Sequence, residues 1–390
     1  MSVFKNKYGC WVSGSTAFDS KYDALRFANL TNQPEVKFYY HDHVWAAFDK
    51  TTLGKNSLIS LYKQRALQLR EKYNHLVLHY SGGSDSHNIL HTFLSNGIKL
   101  DEISVRWAKP LRDGKFYSAN TTDTTAKNAA SEWDYSIKPT LDYITTHHPE
   151  IKITLVDFTE RLNLLPASVE HVEKTLLTLK MYRGALGSFV QRFDPLVETN
   201  SSIKKINKNV GHIFGIEKPM LTVKDNNVYL RFSDAALETS LLVNNMIENT
   251  AELFYWSPEL PELPLEQAFQ VALFFKSNPQ YLNLLWSETF TSSIEASLKT
   301  NAQSEIVKKI LYGHSWDFSR FQVSKPNEAR SDWWHWVHNS NELSAIKQSY
   351  ITAMKNITSD FDPRMLIFSE NTPILRPLAT KLFYILTLDN

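Results

Sequence analysis

A short apolar run that stops at a pair of glycines constrains this chain more than any other feature. Residues 75–80, His-Leu-Val-Leu-His-Tyr, lead directly into the loop Ser81-Gly82-Gly83-Ser84-Asp85-Ser86. The run has the length and composition of a buried parallel strand, and the apolar spacing from Ile89 to Leu94 predicts a helix directly after the loop. Strand, glycine loop and helix in this order predict the start of a right-handed parallel βαβ unit.

Strand and helix signals continue to alternate downstream, which predicts an α/β fold with a parallel, doubly wound sheet. Predicted strands cover 103–107, 151–156 and 210–214, and predicted helices cover 57–73, 124–136, 140–147 and 168–183. A hairpin is expected at 221–232, and beyond it the periodicity is mainly helical. We therefore divide the chain into a small N-terminal cap of strands and loops, 1–55, a core, 56–235, and a largely helical C-terminal region, 236–390.

The composition is that of a globular protein without a strong overall charge. Lysine and arginine number 42 and aspartate and glutamate 41, so the net charge of +1 provides no overall attraction to nucleic acid or to an anionic membrane. The single cysteine, Cys10, excludes an intramolecular disulfide, suits a reducing compartment and is expected to be a packed residue. Neither a signal peptide nor a run of about 20 apolar residues is visible, so we expect a cytoplasmic protein that does not associate with membranes.

The loop residues suit the binding of phosphate groups. Two glycines let backbone N–H groups approach a phosphate, and the following helix directs its positive end toward the same anion. Three serines add hydroxyl donors. Asp85 alone would repel a phosphate, so its presence predicts a Mg²⁺ ion between the carboxylate and the phosphates. The predicted phosphate-binding residues are Ser81, Gly82, Gly83, Ser84, Asp85 and Ser86.

The glycine spacing differs from the two most common nucleotide-binding motifs. The loop lacks the Lys-Ser/Thr ending of a Walker A loop and the spacing of a dinucleotide fingerprint. It resembles the Ser-Gly-Gly-x-Asp-Ser loop of the N-type ATP pyrophosphatases, which include asparagine synthetase, GMP and NAD synthetases and tRNA-modifying enzymes. Residues 81–86 match every fixed position. The resemblance implies an adenine nucleotide alpha hydrolase-like fold, ATP and Mg²⁺ as cofactors, and cleavage of ATP to AMP and pyrophosphate.

The resemblance also implies contacts outside the loop. In this family the adenine lies against the strand that follows the loop helix, which implies Val105 and Arg106, mainly through their backbone groups. Lys218, in the predicted loop 215–219, could neutralise the departing pyrophosphate, so Asp85 and Lys218 are the predicted catalytic residues. A surface turn with a solvated lysine explains 215–219 equally well, and this loop departs from the glycine- and acid-rich loop of asparagine synthetase-like proteins.

Three functions follow as hypotheses. The first is an asparagine synthetase-like ligase that adenylylates a small carboxylate for attack by ammonia or an amine. Position 2 is Ser2 and about 55 residues precede the core, so we expect no glutaminase, and ammonia would come from solution or from a separate partner protein. The second is an enzyme that adenylylates a carbonyl oxygen of a nucleobase or tRNA, and the third is a nucleotide-binding regulatory protein without turnover. The aromatic run 254–256 could line an acceptor site or simply pack before a helix.

Overall fold

The computed structural model describes eleven stretches of the chain. They are residues 7–32, 35–107, 132–157, 168–178, 209–216, 219–234, 251–284, 286–287, 306–315, 343–369 and 372–388. Together they include the glycine loop, the strands on both sides of it and the helix that follows.

Strands and helices alternate through these stretches. The strands are β1 (Cys10–Ser13), β2 (Thr16–Phe18), β3 (Val36–Tyr39), β4 (His75–His79), β5 (Glu102–Arg106), β6 (Lys152–Val156), β7 (Val210–Phe214), β8 (Met220–Lys224), β9 (Asn227–Arg231), β10 (Ala251–Leu253), β11 (Trp286–Ser287), β12 (Leu366–Ser369), β13 (Thr372–Leu375) and β14 (Phe383–Thr387). The main helices are α1 (Lys21–Leu30), α2 (Asp42–Ala47), α3 (Leu58–Lys72), α4 (Ser84–Ser95), α5 (Lys138–His147), α6 (Val169–Thr178), α7 (Glu262–Ser277) and α8 (Ser344–Thr358). A helical segment also covers 306–312, and a π-helical turn covers Glu132–Ile137.

A five-stranded, fully parallel sheet forms the centre of the molecule. Its strand order is β10–β7–β4–β5–β6, so β4 lies between β7 and β5. The chain steps from β4 to β5 and β6 on one side and then returns to β7 on the other. The winding direction therefore reverses between β4 and β7, and the crevice at the carboxyl ends of two such strands is where ligands bind in parallel α/β sheets. The predicted mixed α/β class with a parallel sheet is confirmed.

The helix after the glycine loop forms for the reasons that the sequence indicates. Its apolar stripe, Ile89, Leu90 and Phe93, is buried. It ends at a left-handed residue, Gly97, whose φ is +60°, and the N–H of Ile98 donates to the carbonyl of Phe93 at 2.9 Å. This is a helix end of the Schellman type, which satisfies carbonyl groups that would otherwise lack a donor.

Both ends of the chain differ from the predicted organisation. The cap of strands and loops contains the sheet β2–β1–β3, but also the helices α1 and α2. In the region 236–390, β10 is an edge strand of the central sheet, and β14 pairs with β9 of the hairpin.

The helix predicted at 124–136 lies almost wholly outside the described residues. The described chain resumes at 132, where the π-helical turn begins.

A buried ion pair fastens the N-terminal cap to residues much further along the chain. Nζ of Lys21 lies 2.7 Å from Oδ2 of Asp234, and both side chains are fully buried. The indole N–H of Trp11 donates to the same carboxylate oxygen at 3.0 Å, and the N–H of Leu378 donates to the other oxygen at 2.9 Å. Because a buried charge is costly unless it is paired and hydrogen-bonded, these contacts hold the cap in one place.

A second buried carboxylate joins the edge strand β10 to the helix before the glycine loop. Glu252 is 1% exposed and accepts hydrogen bonds from Lys7, from Arg65 of α3 and from Tyr73 just after α3. Burial alone would raise the pKa of Glu252, but the charges of Arg65 and Lys7 outweigh it and lower the pKa to about 2. The pairing therefore stabilises the fold above the ordinary pKa of 4.5, and this contribution is lost as pH falls from 4.5 through about 2.

No helix in the stretches that the structure describes is both long and apolar enough to cross a bilayer.

We expect Glu252→Gln to lower the free energy of unfolding by about 3–5 kcal/mol, because Arg65 would lose its buried carboxylate partner. Glu259→Gln is the matched control. Glu259 also pairs with Arg65 but is 46% exposed, and exposed ion pairs contribute at most about 1 kcal/mol. Urea denaturation of both variants at pH 7 makes the comparison, and equal stabilities would contradict the assigned role of Glu252.

Candidate functional site

The connection between β4 and α4 is very short. β4 ends at His79, and the N–H of Tyr80 still donates to the carbonyl of Ser104 on β5 at 2.9 Å. α4 begins at Ser84, so residues 80–83 alone carry the chain from strand to helix. The N-terminus of α4 is thereby held at the carboxyl edge of the sheet, beside the crevice between β4 and β7.

Gly82 makes this tight connection feasible. Its φ is +78°, a backbone conformation that residues with a side chain rarely adopt. A Cβ atom there would lie 2.6 Å from Cγ1 of Ile137, which is closer than carbon atoms approach. The carbonyl of Gly82 also accepts a hydrogen bond from the hydroxyl of Ser136. The loop therefore rests directly on the π-helical turn, and such turns occur frequently at functional sites.

Gly83 has a different role, because its surroundings are open. It is exposed, and a Cβ atom on it would meet only Oγ of Ser81, at 3.6 Å. It is the N-cap residue of α4, and no side chain forms a capping hydrogen bond there. The first N–H groups of a helix have no partner within the helix and carry partial positive charge. The loop thus presents an uncapped helix N-terminus on exposed backbone, which suits an anion.

The serine hydroxyls of the loop differ in their hydrogen bonding. The N–H of Ser81 donates to Oγ of Ser86 at 3.3 Å, and Oγ of Ser86 donates to the carbonyl of Gly83 at 3.0 Å, so Ser86 holds the loop closed. The side chain of Ser84 is 4% exposed, and its hydroxyl has no hydrogen-bond partner among the described residues. Buried hydroxyls are normally paired. An unpaired one at an uncapped helix N-terminus fits a ligand oxygen.

The loop after β7 forms the other side of the crevice. A Cβ atom on Gly215 would lie 3.0 Å from the main-chain nitrogen of Ser86 and 3.1 Å from the carbonyl carbon of Asp85. A side chain at this position would push the two backbones apart by a few tenths of an ångström. Lys218, the predicted catalytic residue of this loop, lies outside the described residues.

Asp85 lies in the first turn of α4, where two tyrosines from distant parts of the chain contact it. The hydroxyl of Tyr312 donates to Oδ1 of Asp85 at 2.8 Å, and the hydroxyl of Tyr255 donates to its main-chain carbonyl at 2.8 Å. The two tyrosines follow Asp85 by 227 and 170 residues. The sequence contains no spacing signal that links them to the loop, so sequence analysis missed both contacts.

The donor set fits a metal ion that arrives with a nucleotide. Mg²⁺ in proteins is commonly bound through one or two carboxylates, with phosphate oxygens and water completing its shell. Asp85 is the carboxylate that the loop itself supplies for such an ion. Among the described residues there is no group of three or more His, Cys, Asp or Glu side chains arranged to hold a metal ion.

The strand next to the loop exposes backbone rather than side chains on the side toward β4. Val105 is fully buried, so its side chain is not available to a ligand. Val105 and Arg106 pair with β6, whereas the pairing of β5 with β4 ends at Ser104. Peptide groups alternate between the two sides of a strand, and the carbonyl of Ser104 faces β4. The peptide groups of Arg106 therefore face the same side, just past the end of β4.

Two histidines lie on the sheet face below the crevice. Nε2 of His79 is 3.0 Å from Nδ1 of His212, and the ring of His79 stacks on Phe214 with centroids 4.3 Å apart. Burial lowers the pKa of His212 to about 4 and holds the pKa of His79 well below its ordinary value. Both rings are therefore uncharged at neutral pH and add no positive charge near the glycine loop.

The aromatic run after β10 is packed rather than open. Phe254, Tyr255 and Trp256 are each fully buried, so their rings form no accessible wall for an acceptor. Of the two interpretations left open by the sequence, packing before a helix is the one that the structure favours. The hydroxyl of Tyr255 nevertheless reaches the loop, since it also accepts a hydrogen bond from Asn88 of α4 at 3.0 Å.

Comparisons of this chain with protein-family models, with curated proteins and with solved structures return no match.

We expect Gly82→Ala to lower the free energy of unfolding by about 1–2 kcal/mol or more, because a left-handed conformation alone costs alanine that much and the new Cβ would meet Ile137. Gly83→Ala is the control, since φ at Gly83 is −81° and its Cβ would meet only Oγ of Ser81, at an ordinary contact distance of 3.6 Å. Its stability should change by less than about 0.5 kcal/mol. Chemical denaturation measures both, and equal losses would show that the loop backbone is not constrained as described.

The environment of Cys10 predicts an unreactive thiol. It is 6% exposed, and burial together with the nearby Asp42 raises its pKa to about 11. We expect iodoacetamide at pH 8 to leave Cys10 unmodified in the folded protein and to alkylate it after unfolding in urea. Mass spectrometry detects the adduct. Comparable alkylation rates with and without urea would mean that the thiol is accessible and would reopen a nucleophilic role.

Proposed function

We propose that this chain is an N-type ATP pyrophosphatase that adenylylates a substrate carboxylate for attack by ammonia or an amine. The observation that carries the proposal is the glycine loop at the β4–β7 crevice, where exposed backbone at Gly83 begins an uncapped helix beside the unpaired hydroxyl of Ser84. A pyrophosphate group matches this arrangement because it brings several anionic oxygens to one set of fixed donors. The motif at 81–86 supports cleavage between the α and β phosphates, since it lacks the Walker lysine.

In this proposal the loop holds the leaving group. A carboxylate oxygen of the substrate attacks the α-phosphorus, the bond from that phosphorus to the bridging oxygen breaks, and negative charge gathers on the departing pyrophosphate. Fixed N–H donors in the first turn of α4 would stabilise the transition state more than the ground state wherever they face this charge. Asp85 would bind Mg²⁺, which when bound neutralises part of the same charge. Lys218 is the second cation that we assign to the leaving group.

The adenine would lie beside β5. The peptide groups of Arg106 face the side on which β4 has ended, so they are in reach of a base whose phosphates occupy the loop. Backbone donors and acceptors at a strand end bind a planar heterocycle in a fixed orientation without a side chain. Val105 is fully buried and its peptide groups face β6, so of the two predicted residues Arg106 is the one whose backbone faces the base.

The proposal includes a doubly wound fold of the adenine nucleotide alpha hydrolase type. β4 to β5 and β5 to β6 are steps in one direction, whereas β6 to β7 is a step in the other. Right-handed crossovers in opposite directions place their connections on opposite faces of a sheet. The connection that contains α6 would therefore cover the face opposite to α4.

A small acceptor agrees better than RNA with the even balance of charge, because nucleic-acid-binding domains usually carry a marked basic excess. We accordingly assign the substrate to the class of small carboxylic acids, with ammonia or an amine as the second nucleophile.

We expect AMP and pyrophosphate as the primary products when the protein is incubated with ATP, Mg²⁺, ammonium and pools of carboxylic acids. With an acid labelled in its carboxylate by ¹⁸O, one labelled oxygen should appear in AMP, because that oxygen attacks the α-phosphorus. Chromatography and mass spectrometry detect these products. ADP with orthophosphate would rule out the assignment, and nucleotide binding without pyrophosphate release for any acid, nucleobase or tRNA would indicate a regulatory protein.

We expect Asp85→Asn to reduce magnesium-dependent pyrophosphate release at least tenfold, because the amide retains the size of the side chain but removes the charge that would hold the ion. The fold should remain, since the new amide would still offer an oxygen to the Tyr312 hydroxyl. Initial rates over a range of Mg²⁺ concentrations, with the melting temperature as a check, test this. Near wild-type rates at low Mg²⁺ would exclude Asp85 as a ligand.

A further inference from the structure

Asp85 is fixed at two points, although the glycine loop requires neither contact to form its turn. The Tyr312 hydroxyl donates to Oδ1 of its carboxylate, and the Tyr255 hydroxyl donates to its main-chain carbonyl, each at 2.8 Å. The side chain and the main chain of Asp85 are therefore both held by tyrosines that are distant from it in the sequence. A carboxylate at a helix N-terminus would otherwise exchange among several rotamers.

The segment 306–315 contacts α4 at a second place. Oγ of Ser315 donates to Oδ1 of Asn88 at 2.8 Å. Asp85 and Asn88 are three residues apart on α4 and so lie on one face of that helix, and Tyr312 and Ser315 have the same separation. Two matched hydrogen bonds therefore set the position of this segment along the first turns of α4.

Both tyrosines remain hydrogen-bond donors over a wide range of pH. Each side chain is fully buried, and their rings lie against each other with centroids 5.7 Å apart. Burial, the nearby Asp85 charge and the other tyrosines raise the pKa of Tyr312 and of Tyr255 well above the ordinary value. Packing fixes the Tyr312 ring, so its hydroxyl presents a proton to Asp85 from one direction.

We propose that Tyr312 is a positioning residue that orients the Asp85 carboxylate for the metal ion of the bound nucleotide, an inference that rests on the proposed function. A carboxylate that accepts a hydrogen bond on one oxygen is held in one orientation, so it loses less entropy when it binds a metal. A hydrogen bond from a neutral phenol does this without cancelling the charge that attracts the cation. The C-terminal region thereby supplies a group that positions the carboxylate of the loop 81–86.

If Tyr312 had only a structural role, it would form the same hydrogen bond, but removing its hydroxyl would have a different effect on the site. A buried phenol needs an acceptor, and leaving it unpaired is costly, so Tyr312 could donate to Asp85 only to satisfy itself. In that case removing the hydroxyl would leave the affinity of the site for its metal unchanged. A third outcome is competition, in which the phenol occupies an oxygen that the metal needs, and its removal would then tighten metal binding.

The test compares Tyr312→Phe with Tyr62→Phe. Tyr62 is equally buried, and its hydroxyl donates to the carbonyl of Leu311 at 3.3 Å, so it bonds the same segment without a hydrogen bond to Asp85. The measurement is the apparent Mg²⁺ dissociation constant in the presence of saturating α,β-methylene-ATP, by isothermal titration calorimetry, with melting temperatures recorded alongside. It requires no turnover.

We expect Tyr312→Phe to weaken Mg²⁺ binding about tenfold, the usual effect of removing a group that orients a metal ligand. Tyr62→Phe should change it less than twofold. In an Asp85→Asn background Tyr312→Phe should have no further effect, because the hydroxyl acts through that carboxylate. Unchanged or tighter Mg²⁺ binding in Tyr312→Phe overturns the positioning role alone. If the wild-type protein does not bind the analogue, the proposed function fails and the inference fails with it.

Discussion

The site depends on one left-handed residue between a buried strand and a helix. Gly82, with φ at +78°, turns the chain within four residues, so the N-terminus of α4 arrives at the carboxyl edge of the sheet beside the crevice. Its missing side chain also allows Ser136 and Ile137 to pack against the loop. A side chain at this position would disturb both the turn and the neighbouring segment, which links loop geometry to the core.

The glycine loop is embedded in contacts with regions remote in sequence. Gly215 brings the loop after β7 against the first turn of α4, and Tyr255 and Tyr312 hold Asp85 from the C-terminal region. The buried carboxylate of Glu252 ties β10 to α3, which precedes β4. Since buried polar groups cost free energy unless they are paired, each of these contacts restricts the arrangement to one geometry. The phosphate site that we propose would be preorganised on this frame, which is what stabilisation of developing charge requires.

Sequence patterns predicted the elements around the loop well and the peripheral ones poorly. The strands at 75–79, 102–106, 152–156 and 210–214 and the helix at 58–72 agree with prediction to within a residue or two, because each carries a strong apolar pattern. The helix predicted directly after the loop is present, and it begins inside the loop, at Ser84. The helix α1 and the strand β10 were missed. β10 is three residues long, which is too short to show the alternating pattern of a strand in the sequence. It becomes a strand only because β7 offers an open edge.

The sequence by itself determined the local chemistry of this protein. Two adjacent glycines after an apolar run specify a tight connection, and three serines and Asp85 supply its polar groups, since these properties depend only on neighbours along the chain. The tertiary structure alone decided which strand borders the loop on each side, which serine hydroxyl is left unpaired, and that tyrosines 170 and 227 residues away hold Asp85. Such contacts arise from the packing of the whole chain, and no short-range pattern encodes them.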